Sequence, residues 1–400
     1  MKIINMVKNW VPIPIKQNMK SIYVHFVMKK EWRKGVLSNT VLFESFDGRQ
    51  YSDNPKRISE VLHEIYPEYN QVWAMKFPIS KKIEIPDYVS IVDRHSIEFY
   101  KVLASCFCYV RNTHFENDIF KNGQKQFFIQ TWHGDIGFKK VLYDANPKWR
   151  KKGKVLDEKI VDLCIAGSDY GIQQYRSAFG YTGEIMNIGT PRNDRLVNIN
   201  DHDIYQIKEK IGIDSDCKVL IFAPTFRDHS NDKLNVKVDL HQVLDTLEKN
   251  GEKWICILRA HANSAGLEIE ADERFKDVTD YPDMADLLLI SDLLITDYSS
   301  CAGDFIRKNK GAIFAVFDKE EYQEKCREIP FDIEKAGFLT AYTQNELINI
   351  LKNNNDIDYE RNCKKIKKHF NVKESGKTAE MICDRIHAFY LSIKQRNWRN

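Results

Sequence analysis

Leu293-Leu294-Ile295-Thr296-Asp297-Tyr298-Ser299-Ser300 passes from an apolar, β-branched run to a polar turn, and Cys301-Ala302-Gly303-Asp304 then opens a segment of helical pattern that reaches about Asn309. A short buried strand that ends in hydroxyls at the mouth of a helix is the repeating unit of a parallel α/β sheet, where ligands sit beyond the carboxyl ends of the strands. Two serines at such a place present hydroxyls beside unpaired backbone N–H groups and suit a phosphate. A simple N-cap by Ser299 uses the same residues. Asp304, one turn on, either faces that ligand or supplies ordinary first-turn charge.

Outward from this stretch the same pattern returns three times. Gln126–Thr131 runs into Trp132-His133-Gly134-Asp135, Lys218–Phe222 runs into Ala223-Pro224-Thr225-Phe226-Arg227-Asp228, and Trp254–Leu258 ends at Arg259-Ala260-His261. Further strands are predicted at Thr40–Glu44, Gln71–Met75, Ser105–Val110, Val161–Ala166, Ile185–Ile188 and Ala312–Val316. Helical spacing marks Asn54–Ile65, Asp169–Ala178, Ile204–Ile211, Leu240–Asn250, Asp283–Ile290 and Asn345–Lys352, the last preceded by the capping pair Thr343 and Glu346. Strands alternating with helices predict two doubly wound, Rossmann-like α/β halves, joined through the polar stretch Asn198–Asp216.

Each strand end has a chemical reading. His133, beside a glycine that lets a ligand approach the backbone, is the candidate general base. Arg259 and His261 alternate onto one side and suit a diphosphate, and Thr225 and Arg227 share that spacing. Arg192, in the turn Gly189-Thr190-Pro191-Arg192-Asn193-Asp194, is placed to reach an anion across a cleft. Asp214-Ser215-Asp216 and Asp356-Ile357-Asp358 resemble an Asp-x-Asp metal motif but fall in polar turns, so neither an essential metal nor a cofactor is predicted. GxGxxG, P-loop, GxSxG and HExxH patterns are missing.

Composition limits the classes. The 400 residues, 43% hydrophobic and 29% charged, support folded cores and argue against disorder. Nine scattered cysteines without a CxxC pair argue against a disulfide framework and a structural zinc. No apolar run is long enough to span a bilayer, and no signal-peptide pattern is read at the start, which predicts a cytosolic protein. The net charge of +3 is uneven: residues 1–34 carry +7 and residues 361–400 carry +8, leaving −12 between them. Trp10, Ile22, Tyr23, Phe26 and Trp32 are interleaved with the first lysines, a mixture suited to an anionic bilayer surface. The acidic middle gives no basic stripe for nucleic acid. The divisions expected are 1–34, a basic and aromatic segment for membrane-surface contact; 35–200, a Rossmann-like half bearing the base; 201–375, a second such half; and 376–400, a basic helix.

Taken together, Gln130-Thr131-Trp132-His133-Gly134, Gly189 to Asp194, Ala223-Pro224-Thr225 with Arg227-Asp228, Arg259-Ala260-His261, and Ile295 to Ser300 with Asp304 resemble, in order and spacing, the CDP-glycerol glycerophosphotransferase family of teichoic acid and capsule synthesis. Phe43 to Gly48 and Tyr51 to Lys56 are also similar to it. The resemblance implies a GT-B-like architecture with an interdomain cleft, a CDP-glycerol or CDP-ribitol donor on the C-terminal half, and acceptor entry from the N-terminal half. It implies transfer of a polyol phosphate to a hydroxyl of a lipid-linked or growing teichoic acid or capsule acceptor, with release of CMP, by a bacterial enzyme peripheral on the inner face of the cell membrane. His133 and His261 take the catalytic positions in that comparison; Trp132, Gly134, Arg192, Thr225, Arg227, Arg259, Ser299, Ser300 and Asp304 take donor-binding ones. The chain departs from the family where Asp135-Ile136-Gly137-Phe138-Lys139-Lys140 replaces a frequent Thr-Pro-Leu-Lys, which sets an acid beside the base, and where Ala262 replaces a proline. Two rivals remain open: a GT-B enzyme that uses a nucleotide sugar, and a non-catalytic membrane-surface scaffold of the same fold.

Overall fold

The computed structural model describes residues 13–34, 38–114, 119–152, 156–225, 238–260 and 272–398. Two sheets, every strand pair parallel, organise the chain. The first contains β1 (Thr40–Glu44), β2 (Asn70–Met75), β3 (Val89–Asp93), β4 (Cys108–Arg111), β5 (Phe127–Gln130), β6 (Leu163–Ala166) and β7 (Glu184–Asn187), in the order β3-β2-β1-β4-β5-β6-β7. The second contains β8 (Lys218–Ala223), β9 (Trp254–Leu258), β10 (Phe275–Asp277), β11 (Leu293–Thr296), β12 (Gly311–Ala315) and β13 (Leu339–Ala341), in the order β10-β9-β8-β11-β12-β13. Strand order reverses between β1 and β4 in one sheet and between β8 and β11 in the other, and ligands of doubly wound folds lie at such switch points.

Ten of these strands were predicted, within three residues at each end. The three missed, β3, β10 and β13, are all edge strands. An edge strand is partly solvated, so it need not show the continuous apolar run that a central parallel strand, covered on both faces, must have; the fourth edge strand, β7, was predicted. All five residues of β1 are buried, whereas only Val89 and Val92 of β3 are buried and β10 has no buried residue.

Alternation along the central strands builds two cores per sheet. Val41, Phe43, Trp73, Val110 and Ile129 pack on one face of the first sheet with Ile58 and Leu62 of the helix Asp53–Ile65 and with Ile382 and Ile386 of the helix Thr378–Trp398. Leu42, Tyr109 and Phe128 pack on the other face with Val24 and Met28 of the helix Ile13–Trp32 and with Phe99 and Leu103 of the helix Ile97–Ser105. The last helix therefore returns from the second sheet to the first. Its start is held by Asp194, whose two carboxylate oxygens accept from Thr378 N at 3.0 Å and Ala379 N at 2.8 Å. Thr343 caps Gln344–Lys352 by accepting from Glu346 N at 3.2 Å, while Glu346 reaches back to Tyr342 N at 2.7 Å. Asp214, Asp216 and Cys217 lie together in an exposed turn before the amino end of β8, at the opposite edge of the sheet from the strand-end motifs.

The segment after Gly134 ties the halves together. Ile136 and Phe138, both fully buried, belong to the core of the second sheet, where Phe138 meets Phe314, Phe331 and Phe338 with ring centroids 4.7 to 5.2 Å apart. The loop that leaves β5 is thus plugged into the other half.

Candidate active site at the facing strand ends

β5 ends at Gln130, and the next residues turn sharply. Trp132 adopts a left-handed backbone (φ 52°), which costs a bulky side chain on the order of 1–2 kcal/mol unless the surroundings enforce it. They do: Gln130 Oε1 accepts from Trp132 N at 2.8 Å, and Asn54 Nδ2 donates to the Trp132 carbonyl at 2.9 Å. The turn presents His133, half-buried between the rings of Trp132 (4.0 Å) and Phe46 (5.3 Å). His133 Nδ1 lies 2.7 Å from the Asn112 carbonyl. A carbonyl only accepts, so Nδ1 carries the proton and Nε2 keeps its lone pair. Burial holds the imidazole below the ordinary histidine range, as does the Arg192 guanidinium; the Asn112 carbonyl and the Asp53 and Asp47 carboxylates act the other way. The ring is therefore a neutral base at neutral pH.

From the second sheet, β8 and β11 bring Thr225 and Asp297 to Ser300 to the same region. Asp297 Oδ1 accepts from Thr225 N at 2.8 Å and from Tyr298 N at 2.6 Å, which fastens the two loops across the switch point. Ser299 and Ser300 are half-exposed. Ser300 occupies the N-cap position of Cys301–Phe305 without its hydroxyl bonding the helix, and Ser299 Oγ accepts from Cys301 N at 3.4 Å. A Cβ added at Gly134 would stand 3.3 Å from Ser300 Oγ, so the residue next to His133 faces the serine of the other half directly. His133 and Ser300, distant in sequence, therefore share one cleft.

Other expected residues are engaged differently. Arg192 and Asp304 do not stand open to a ligand; they form a buried bidentate pair, with Nε and Nη2 donating to the carboxylate at 3.0 to 3.1 Å and Asn193 Nδ2 adding a bond of 2.8 Å. Asp135 is not an acid beside the base. Its carboxylate turns away, accepts from Gly167 N at 2.7 Å, and pairs with Arg307 Nη2 at 3.1 Å, both side chains being 1% exposed. Arg259, at the end of β9, donates through Nη1 to the carbonyls of Val278 and Thr279. Burial lowers its pKa, opposed by Asp283, Asp280 and Asp277. Arg227 and His261, with Ala262, lie outside the described residues.

Sequence reasoning quoted Asp53-Asn54-Pro55-Lys56 but gave these residues no role. Asn54, fully buried, bonds the Trp132 carbonyl and also accepts from Arg192 N at 3.0 Å, pinning two site turns to one helix. Lys56 crosses the cleft to Asp283 at 2.8 Å, which holds its pKa up against burial. Spacing alone could not reveal either contact, since each partner lies far along the chain.

Comparison with known proteins bears on the family and the fold. The chain is 31% identical over 408 residues to the teichoic acid poly(glycerol phosphate) polymerase of Staphylococcus epidermidis, covering 96% of this chain and 55% of that protein. It is 33% identical over 345 residues to the protein of the same name from Bacillus subtilis, covering 82% of this chain and 45% of that one. This chain thus spans about half the length of these relatives. The solved wall teichoic acid polymerase TagF superposes with a TM-score of 0.81 at 28% identity, covering 96% of each chain, and its likeness is to the two-sheet, GT-B-like arrangement described above. Residues 26–388 match the model of CDP-glycerol:poly(glycerophosphate) glycerophosphotransferase, and the chain belongs to that family.

Proposed function

We propose that this protein transfers a polyol phosphate from a CDP-alditol to a hydroxyl of a lipid-linked or growing teichoic acid acceptor. The observation that carries the reading is His133, with Nε2 unprotonated, on a turn whose next residue, Gly134, meets Ser300 of the other half where both sheets end. Nε2 takes the proton of the acceptor hydroxyl as its oxygen bonds to the β-phosphorus of the donor; the bond from that phosphorus to the bridging oxygen breaks, and CMP leaves with the electron pair. The half after residue 201 holds the donor, its growing charge met by Thr225, Ser299, Ser300, Arg259 and, by the family resemblance, Arg227 and His261. The half before residue 200 admits the acceptor. Arg192 and Asp304 fix the distance between the halves.

Glycerol is the favoured alditol, because the relatives described above are poly(glycerol phosphate) polymerases. CMP release measured with CDP-glycerol and with CDP-ribitol, membrane extract supplying acceptor, tests this. Release with glycerol alone supports the reading, and release with neither overturns it. Ser300→Ala and His261→Ala are expected to weaken donor affinity about tenfold, as loss of a hydrogen bond to a charged group does; unchanged affinity in both variants breaks the donor assignment.

On this reading the protein works at the inner face of the membrane, where a lipid-linked acceptor is met. No helix among the described residues is long and apolar enough to cross a bilayer. The helix Ile13–Trp32 instead leaves Met19, Ile22 (71% exposed), Tyr23 and Phe26 (64% exposed) on one stripe, while Val24 and Met28 are buried against the body. Exposed Lys29 and Lys30 lie on the same helix, which suits an anionic surface. Ile22→Asp with Phe26→Asp is expected to lower binding to phosphatidylglycerol vesicles at least tenfold, from the roughly 1.5–3 kcal/mol lost per large side chain. Undiminished binding by the folded double variant contradicts the contact.

A further inference from the structure

Behind His133 lies a polar arrangement that the roles above leave unused. Asn112, fully buried just beyond β4, bonds in several directions. Its carbonyl accepts from His133 Nδ1, its Oδ1 accepts from Phe46 N at 2.8 Å, and its Nδ2 donates to Ser45 Oγ and to Asp53 Oδ1, each at 3.1 Å. Asp53 opens the helix Asp53–Ile65 with a left-handed backbone (φ 65°), a conformation that Asp and Asn tolerate better than other residues with a Cβ. Asp53 Oδ1 also accepts from Asn54 N at 2.7 Å, and Oδ2 lies 3.5 Å from Arg192 Nη1. One carboxylate is therefore joined to the residue that orients the imidazole, to the helix that pins the Trp132 turn, and to the arginine of the interdomain pair. Phe46, Asp47 and Trp132 are also left-handed, so most of the left-handed side-chain-bearing residues of this half, Leu142 apart, lie on the segments around the same ring.

We propose that Asp53 is a positioning residue for the transfer reaction: through Asn112 it fixes the orientation of His133, and its charge offsets that of the imidazolium formed when the ring takes the acceptor proton. This rests on the reading of His133 as the base. Three charged groups among the described residues act on the ring. Asp53 and Asp47 favour the protonated ring and Arg192 opposes it, while Arg111 acts behind Asp47, to which it donates at 2.5 Å. Loss of the Asp53 charge leaves the Arg192 repulsion less compensated, so His133 should give up its proton at lower pH.

The test uses the full chain carrying Asp53→Asn, since asparagine keeps the left-handed backbone and a side-chain oxygen for Asn54 N. His133 titration is followed by NMR on histidine-labelled protein, its resonance identified by loss in His133→Ala, alongside kcat and KM over pH. Expected are a fall in the His133 midpoint of about half a pH unit or more, in line with loss of a nearby charge, a kcat about tenfold lower, and a KM within about twofold of wild type. Asn112→Ala, which keeps the carbonyl but removes the side-chain link, should lower kcat as well and serves if Asp53→Asn fails to fold. An unmoved midpoint in the folded variants overturns the proposal, as does a loss confined to KM. A moved midpoint combined with full turnover in His133→Ala overturns it through its premise, and identifies the base assignment as what failed.

Discussion

Replacement of His133 by alanine is expected to reduce turnover by about 10²–10⁴-fold while donor affinity stays within about twofold of wild type. The argument is local. The imidazole is fixed by the Asn112 carbonyl and keeps Nε2 for the acceptor, whereas the groups assigned to the donor come from the other sheet. Its pKa is held below the ordinary histidine value, so the base form predominates at neutral pH and is lost as pH falls through that lowered pKa. The acid limb of the kcat profile in the wild-type enzyme should accordingly lie below about 6.5, the unperturbed histidine value. An acid limb above that value, or near-normal turnover in His133→Ala, would remove His133 from the role.

Asp135→Ala is expected to be among the most destabilising single changes in the chain. It removes the partner of Arg307, a guanidinium 1% exposed between the two halves, and deprives Gly167 N of its acceptor. Breaking a buried pair on one side costs about 3–5 kcal/mol, because the remaining charge is left in the interior without compensation. The double change Asp135→Leu with Arg307→Met removes both charges together and should recover most of the loss. Thermal or urea unfolding checks both. A single variant as stable as wild type would show that the pair does not hold the halves. Turnover in Asp135→Ala should also fall, since the loop that carries His133 continues into Asp135, Ile136 and Phe138, and the latter two are seated in the core of the second sheet.

The central strands were legible because a parallel strand covered on both faces must be apolar throughout, and Lys218–Ala223 or Leu293–Thr296 can hardly be read otherwise. Three of the four edge strands were not, because much of their surface meets solvent. Ser105–Val110 was read as one strand although the helix Ile97–Ser105 ends there and β4 begins at Cys108; the helix is apolar on most sides and its period is blurred. The strand-end motifs were legible as chemistry but not as partnerships. Arg192 looked like an anion ligand, and what spends it is Asp304, 112 residues away. Asp135 looked like a neighbour of the base, yet its carboxylate is taken up by Gly167 N and Arg307 while His133 bonds the Asn112 carbonyl. Asp53 gave no signal, because a left-handed backbone at a helix start leaves no trace in residue spacing.

Identification of both products of one reaction bears most directly on the account. Wild-type protein given CDP-glycerol and a lipid-linked acceptor should yield CMP and a new phosphodiester in the ³¹P spectrum, in equal amounts, with both formed about 10²–10⁴-fold more slowly in His133→Ala. Release of a nucleoside diphosphate without a new phosphodiester, or near-normal turnover after loss of His133, would contradict it.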